Sequence, residues 1–175
     1  MFLNKIKLFL VISICLIFFF LTYNDVKSQE PKIIFGKAKV IDGDTIKIDK
    51  NKIRLYGIDA PEKKQQCQKM WLSISFLTLN KNYQCGKISS NKLKVKINNK
   101  FIMCKSSNKD RYNRFIAECY KDKININKWM VSNGYAVAYK KYSKKFVAQE
   151  NIAKKEKLGL WAGTFEMPWE WRKKN

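Results

Sequence analysis

The chain has 175 residues, of which about 145 remain once an N-terminal targeting segment is set aside, enough for one domain with one hydrophobic core. It contains no histidine, which excludes a Ser-His-Asp triad, a histidine general base and a histidine-ligated metal. The 36 lysines and arginines exceed the 14 aspartates and glutamates, giving a net charge of +22. Nucleic acid is therefore the first candidate partner and an anionic membrane surface the second. A lysine-rich composition drawn from an AT-rich genome is the alternative explanation of this charge.

Residues 1–28 have the pattern of a signal peptide. Lys5 and Lys7 form a positively charged start, residues 8–21 are an uncharged apolar run, and Val26-Lys27-Ser28 offers a cleavage site. The apolar run is short for a membrane-spanning helix. We therefore expect an exported protein, periplasmic or secreted, with an uncleaved N-terminal anchor that tethers it to the membrane as the alternative. Without the three lysines and one aspartate of this segment, the net charge is +20.

Three short strands are predicted next, over residues 33–41, 45–48 and 53–58. They are rich in β-branched residues, and turn signals at Asp42-Gly43 and at residues 49–51 separate them. Gly36 marks an expected bulge in the first strand. Strands joined by such tight turns form an antiparallel meander.

The rest of the chain predicts two more strands and several helices. Residues 70–79 fit a helix or a strand equally well, because their apolar pattern has no clear period. After them we expect a basic helix over 89–97, strands over 101–105 and 114–120, a helix over 124–133 ending at Gly134, an extended segment over 135–139 and a helix over 144–157.

Five short strands and several helices predict an α+β fold, a five-stranded OB-fold β-barrel capped by helices. We assign the barrel domain to residues 33–165 and a basic aromatic tail to residues 166–175. The aromatic residues near this end are expected to pack the terminus onto the core.

Three carboxylates are placed to meet near the ends of the predicted strands. Asp44 follows the first turn signal, and Asp59 and Glu62 follow the third strand. If these strands are neighbours, the three side chains converge, and a hard cation such as Ca²⁺ prefers such oxygen ligands. Arg54 would lie on the same face of the barrel. Oxygen ligands beside an arginine suit a phosphodiester, because a cation and a guanidinium neutralise the charge that develops at phosphorus.

These residues belong to motifs that resemble the staphylococcal nuclease (thermonuclease-like) family. The motifs are Asp42-Gly43-Asp44-Thr45 and Arg54-Leu55-Tyr56-Gly57-Ile58-Asp59-Ala60-Pro61-Glu62. A third, Asp110-Arg111-Tyr112-Asn113-Arg114, is similar to the family's Asp-Lys-Tyr-Gly-Arg sequence. Asn113 stands where the family has glycine, and asparagine tolerates the left-handed conformation of such a turn. The resemblance extends over about residues 37–161.

The resemblance implies a calcium site built from oxygen ligands. Asp44 and Asp59 would bind Ca²⁺ through their carboxylates, and Ala60 would add its backbone carbonyl. Asp42 would not bind the ion itself but would support the residues that do. Glu62 would reach the metal through water and orient or deprotonate the attacking water.

The resemblance also implies how a nucleic acid would be held. Arg54 and Arg114 would bind the scissile phosphate and stabilise the pentacovalent transition state, where a two-pronged guanidinium is better suited than a lysine. Tyr112 and Tyr139 would contact the nucleotide.

Four cysteines remain after Cys15 of the N-terminal segment, and an even number in an exported domain predicts two disulfides. Cys104 and Cys119 lie almost symmetrically about the turn at residues 109–112, so antiparallel strands would make them neighbours. We therefore expect bonds Cys67–Cys85 and Cys104–Cys119. A zinc site is disfavoured because no C-x-x-C pair occurs, and four reduced thiols are the alternative in a chain that stays in the cytoplasm.

The sequence therefore predicts a calcium-dependent nuclease that hydrolyses DNA, RNA or both by metal-assisted attack of water, with no obligate protein partner. A non-catalytic OB-fold module that binds nucleic acid or protein is the alternative. The acidic and arginine residues of the motifs are all present, which favours the enzyme.

Overall fold

The computed structural model describes residues 12–15, 30–74 and 77–175, in two units, residues 1–30 and residues 31–175. In the first unit, residues 12–15 form a turn of helix with an exposed free thiol at Cys15. The other residues of the predicted signal peptide (1–28), namely 1–11 and 16–28, lie outside the described residues. Within the described part of the chain, no helix combines the length and apolarity that crossing a membrane requires.

Residues 31–175 contain eleven strands and four helices among the described residues. The strands are β1 (Lys32–Val40), β2 (Thr45–Ile48), β3 (Asn51–Leu55), β4 (Ile58–Asp59), β5 (Cys67–Ile74), β6 (Leu77–Tyr83), β7 (Phe101–Lys109), β8 (Phe115–Lys121), β9 (Ile124–Asn125), β10 (Val137–Ala138) and β11 (Gly163–Thr164). The helices are α1 (Cys85–Ile97), α2 (Ile126–Ser132), α3 (Val147–Lys155) and α4 (Pro168–Lys174), with a 3-10 turn at Gly159–Ala162.

Five strands close into a barrel. The sheet order is β3-β2-β1-β7-β8-β9, and a parallel pairing of β3 with β8 joins its two sides. All other pairs in this sheet are antiparallel. The α+β barrel capped by helices is the predicted fold, with β1, β2, β3, β7 and β8 as its five strands.

The alternation of side chains in the strands fills the barrel. Ile34, Ile46, Ile53 and Ile102 are buried, and they pack with residues of α1 and α2 in one cluster. Alternate side chains along a strand face opposite sides, which is why the neighbouring lysines of these strands reach solvent.

Gly36 does not form the predicted bulge. It pairs regularly with Ile102 in β7. A Cβ atom at Gly36 would lie 2.6 Å from Cγ2 of Ile48, so the glycine permits close packing across the barrel rather than an irregular register.

The sequence around residues 70–79, which fits a helix or a strand equally well, belongs to an antiparallel hairpin of β5 and β6. Strand β11 pairs with β5. The Cys67–Cys85 disulfide joins the start of the hairpin to α1, and Cys104–Cys119 joins β7 to β8 at a register pair. Both disulfides expected from the sequence are therefore present. Buried Val137 and Leu160 pack with the first of them in a second cluster, which the C-terminal aromatic residues Trp161, Phe165 and Trp169 flank.

Candidate active site

Asp44 lies in the turn between β1 and β2, where its backbone N–H donates to Oδ1 of Asp42 (3.0 Å). Its side chain is buried. Oδ2 accepts the backbone N–H of Ala60 (2.7 Å), and Oδ1 accepts the hydroxyl of Thr45 (3.1 Å) and Nη1 of Arg54. The turn thus fixes one carboxylate at the end of the barrel beside the chain that follows β4.

Asp59 is the second carboxylate of this site, and its side chain is 0% exposed. It ends β4, where it pairs with Val137 of β10. Its Oδ1 accepts Nη2 of Arg54 (2.6 Å). Because β2 and β3 pair Thr45 with Arg54, the register brings this guanidinium to both carboxylates, and Arg54 bridges Asp44 and Asp59.

A second guanidinium, from Arg172 in α4, contacts the same carboxylate. Nη2 donates to Oδ2 of Asp59 (2.7 Å) and Nη1 to its Oδ1 (3.1 Å). Nη1 also donates to Oε1 of Glu62 (2.9 Å). Arg172 therefore joins the two acidic residues that follow the third barrel strand.

Burial determines much of the electrostatics of this acidic cluster. Burial, and then the charge of Asp44, raise the pKa of Asp42 to about 6. Burial also raises the pKa of Asp59, against the opposing hydrogen bonds and charges of Arg172 and Arg54. Burial alone would lower the pKa of Arg54, but Asp44 and Asp59 reverse this and raise it. Asp42 and Asp59 are therefore costly to ionise without cations beside them.

Tyr139 lies beside the acidic cluster. It follows β10, and its N–H donates to the carbonyl of Gly57 (2.9 Å), whose φ is +72°. The ring stacks on that of Trp169, with centroids 5.5 Å apart and planes 4° apart. Burial and the charge of Asp59 raise the pKa of its hydroxyl.

Arg114 and Tyr112 belong to a separate turn that Asp110 organises. Oδ1 of Asp110 accepts the backbone N–H of Tyr112 (2.9 Å) and of Arg114 (3.0 Å), and Oδ2 accepts Nε and Nη2 of Arg114 (both 2.8 Å). Asn113 has a φ of 60°, the left-handed conformation expected from the sequence. The guanidinium of Arg114 lies 5.4 Å from the centroid of the Tyr112 ring.

The structure joins most of the predicted site residues, but not all. Hydrogen bonds link Asp42, Asp44, Ala60, Arg54, Asp59 and Glu62, directly or through Arg172. Arg114 and Tyr112 are bonded instead to Asp110. The parallel register pairs Arg54 of β3 with Ile116 of β8. Arg114 immediately precedes β8, two residues before Ile116.

Sequence reasoning missed Arg172 and Trp169 as members of the site. The tail was expected to pack on the core, and its aromatic residues do so, but 113 residues separate Arg172 from Asp59. One usable signal was present. Only four of the 36 basic residues are arginines, and a chain that otherwise uses lysine keeps arginine where a fork of donors is needed.

The donor atoms of the site are oxygens. Among the described residues, no three histidine, cysteine, aspartate or glutamate side chains surround one point as a ready metal cluster. The two buried carboxylates of Asp44 and Asp59, with the backbone at Ala60, are nevertheless the oxygen chemistry that a hard cation takes. Arg54 and Arg172 now supply the positive charge that these carboxylates require.

Comparison with known proteins identifies the family. The family model "Staphylococcal nuclease homologue" matches residues 52–163. The chain belongs to the staphylococcal nuclease family. The matched region contains most of β3, the segment with Asp59 and Glu62, the Asp110 turn and helices α1 to α3.

Individual relatives share most of the chain. A protein named "Succinoglycan biosynthesis protein ExoI" from Rhizobium meliloti is 33% identical over 79% of this chain and 69% of its own. An "Uncharacterized endonuclease" from Haemophilus influenzae is 38% identical over 78% of this chain and 71% of its own. A "Probable staphylococcal-like nuclease CAN4" from Oryza sativa subsp. japonica is 32% identical over 82% of this chain but 25% of its own.

Proposed function

We propose that this protein is a calcium-dependent nuclease that hydrolyses phosphodiester bonds of DNA, RNA or both. The observation that carries the proposal is the pair of buried carboxylates, Asp44 and Asp59, bridged by the guanidinium of Arg54 at the end of the barrel. Membership of the staphylococcal nuclease family and the names of its relatives support the same activity.

Calcium would be held by Asp44, Asp59 and the backbone carbonyl of Ala60. This donor set fits the ion because it consists of hard oxygens, two of them on carboxylates that are buried and need a cation. No histidine occurs in the chain, and its cysteines in the barrel domain are in disulfides, so softer metals lack their usual ligands. When bound, calcium supplies positive charge for the phosphate and for the water that attacks it.

Arg54 and Arg114 would hold the phosphate. Each guanidinium offers a planar fork of donors that matches two phosphate oxygens. Arg54 neutralises both carboxylates here. If a cation shared that task, the donors of Arg54 would be available to the substrate. Donors placed where charge develops stabilise the transition state more than the ground state.

Glu62 would accept the proton of the attacking water. Its side chain is one-third exposed, and its Oε1 is bonded to Arg172. A carboxylate is the available general base, since the chain has no histidine. Tyr112 and Tyr139 would contact the nucleotide, and the net charge of +20 on residues 29–175 would attract the polyanion.

The cellular setting is a proposal of the same kind. Two disulfides indicate an oxidising compartment, and residues 1–28 have the pattern of a signal peptide. We therefore infer export to the periplasm or medium, with residues 33–165 as the nuclease domain.

The deciding experiment incubates the purified protein with single-stranded DNA and with RNA, in calcium, in magnesium and in excess chelator. We expect cleavage in calcium, much less in magnesium because that smaller ion demands rigid octahedral geometry, and none in chelator. Full activity in chelator would contradict the calcium site, and salt-dependent binding without cleavage would favour the non-catalytic module.

A further inference from the structure

Helix α4 contacts the candidate active site through two side chains, one charged and one aromatic. Arg172 places both terminal nitrogens on Asp59 and one of them on Glu62. Three residues earlier, one turn back on the helix, Trp169 stacks on the ring of Tyr139. The same short helix thus covers a proposed calcium ligand, the proposed general base and a proposed nucleotide contact.

The contacts of Arg172 leave Asp59 little capacity for another ligand. A carboxylate has about four lone-pair positions. Oδ1 accepts from Arg54 (2.6 Å) and Arg172 (3.1 Å), and Oδ2 accepts from Arg172 (2.7 Å). A divalent cation on Asp59 would also be repelled by a guanidinium within hydrogen-bond distance of the same oxygens. Arg172 and a cation would therefore compete for Asp59.

The attachment of α4 is suited to release. The chain just before the helix is anchored, because Nε2 of Gln65 donates to the carbonyl of Glu166 (2.7 Å). Beyond that anchor the helix has only seven residues and is the last element of the chain. Arg172 supplies its ion pairs with the site. The start of the helix is also held, because Pro168 is buried and Trp169 packs against the second cluster as well as on Tyr139. Loss of the ion pairs of Arg172 would therefore free the C-terminal turn of the helix first.

We propose that α4 is an autoinhibitory cover, in which Arg172 competes with calcium for Asp59 and Trp169 covers Tyr139. The inference rests on the proposed calcium site. Calcium would bind the form of the site from which α4 is displaced, and α4 binds the form without calcium. A rising calcium concentration would therefore shift the population towards the displaced form. Binding of calcium would release the helix, and Trp169 would then leave the face of the Tyr139 ring exposed for stacking with a nucleobase.

Calcium binding without any nucleic acid tests the competition. Titration calorimetry compares the full exported chain with its Arg172→Ala, Arg172→Lys and Lys173→Ala variants. We expect Arg172→Ala to bind calcium about tenfold more tightly, because it removes a competing guanidinium that, with its three contacts partly exposed to solvent, counts for about as much as one charge-assisted hydrogen bond. Arg172→Lys should fall between it and wild type. Among the described residues, the ion pair found for Lys173 is with Glu170 on the same helix. Lys173→Ala therefore controls for net charge and should stay within about twofold of wild type.

Hydrogen exchange tests the release. The amides of residues 169–174 should exchange faster in calcium than in chelator, while those of the barrel strands should not. Equal calcium affinity in wild type and Arg172→Ala, or weaker affinity in the variant, overturns the competition. Unchanged exchange of α4 in calcium overturns the release. Thermal unfolding of each variant verifies its fold, and a failure of every variant to bind calcium would overturn the proposed calcium site together with the cover.

Discussion

At the residue scale, three of the four arginines mark where a planar fork of donors matters. Arg54 bridges two carboxylates, Arg114 forks onto Asp110, and Arg172 forks onto Asp59. Arg111 is exposed and lies over the Tyr112 ring at 4.9 Å. A lysine could supply the charge at any of these positions, but its single ammonium group cannot bridge two acceptors in a fixed plane.

Lysine substitutions at Arg54 and Arg114 should separate charge from geometry. We expect each variant to lose about 10²-fold or more in cleavage rate, because a transition-state donor is lost while the charge stays. Steady-state cleavage of single-stranded DNA in calcium measures this. Arg111→Lys is the matched control, since no ion pair of Arg111 is found among the described residues, and it should lose less than about threefold. Wild-type rates for both Arg54→Lys and Arg114→Lys would show that the arginines are assigned wrongly.

Asp110 should stabilise the fold in a pH-dependent way. Burial would raise its pKa, but the hydrogen bonds and charge of Arg114 and the N–H of Tyr112 outweigh burial and lower it. A carboxyl whose pKa is lowered on folding stabilises the protein above its unfolded pKa of about 3.9, and this is lost as pH falls through the folded pKa. We therefore expect Asp110→Asn to cost about 1–2 kcal/mol at pH 7 and progressively less below pH 4.

Urea unfolding at pH 7 and near pH 3 measures this difference. Asp122→Asn is the control, because Asp122 is an exposed turn residue with a φ of 53° that asparagine also tolerates. It should change the free energy of unfolding by less than about 0.5 kcal/mol. A cost at Asp110 that is equal at both pH values would refute the ionic origin.

At the element scale, period and turn chemistry predicted the barrel strands well. The predicted strands at 45–48 and 114–120 agree closely with Thr45–Ile48 and Phe115–Lys121, because one face of each is buried and alternation is visible. Helix α2 begins later than expected, since Ile124–Asn125 first pairs with β8 and the Asn125 side chain then caps the helix. The predicted strand over 53–58 is divided at Gly57, whose positive φ of 72° interrupts the extended backbone between β3 and β4. The hydrophobic pattern of the sequence does not show this break.

The hairpin β5–β6 shows where pattern fails. Met70, Trp71 and Ile74 are exposed, with Trp71 at 67%. The apolar residues of the hairpin therefore do not alternate between a buried and an exposed face, and the sequence shows no strand periodicity. Disulfide and tertiary pairing determine this hairpin. The candidate site divides in the same way. The motifs contain Asp44, Asp59 and Arg54, which are close along the chain and which the structure joins by hydrogen bonds. The motifs contain no signal for Arg172, whose contact depends on the docking of the last helix.

The two disulfides should therefore stabilise different cooperative units. Their sequence separations, 15 and 18 residues, are similar, so each should restrict the unfolded chain by about 3 kcal/mol. Cys104 and Cys119 are fully buried in the barrel core, whereas Cys67 and Cys85 belong to the second cluster. We expect removal of Cys104–Cys119 by paired alanine substitution to lower the stability of the whole barrel.

Removing Cys67–Cys85 in the same way should instead loosen residues 67–83 and leave the barrel transition largely in place. Urea unfolding and amide exchange of the two double variants measure this. The barrel amides should lose protection only in the first variant, and the hairpin amides in both. Loss of barrel protection on removing Cys67–Cys85 would mean that the two clusters form one cooperative unit.

At the scale of the whole molecule, a strongly basic chain surrounds a small acidic site. Residues 29–175 have a net charge of +20, while Asp44, Asp59 and Glu62 are paired with Arg54 and Arg172. The two guanidiniums offset only part of the charge of these three acids, so the attraction of a polyanion has to come from the lysines elsewhere in the chain. If the many lysines attract nucleic acid while hydrolysis depends on the few groups of the proposed site, the two properties should be separable.

Glu62→Gln separates them. Glutamine keeps the Oε1 acceptor that Arg172 uses but cannot take a proton from water, so we expect cleavage to fall by about 10²-fold or more. Binding should persist, with a linear fall of log K against log salt, because phosphate contacts from the basic surface release counterions as before. Fluorescence anisotropy with labelled single-stranded DNA in calcium measures binding, and cleavage is followed in parallel. Glu156→Gln removes the same charge at an exposed residue after α3 and should cleave and bind as wild type does. If Glu62→Gln lost binding and cleavage together while its thermal unfolding matched wild type, the carboxylate would be required to hold the substrate, and the separation of binding from chemistry would be wrong.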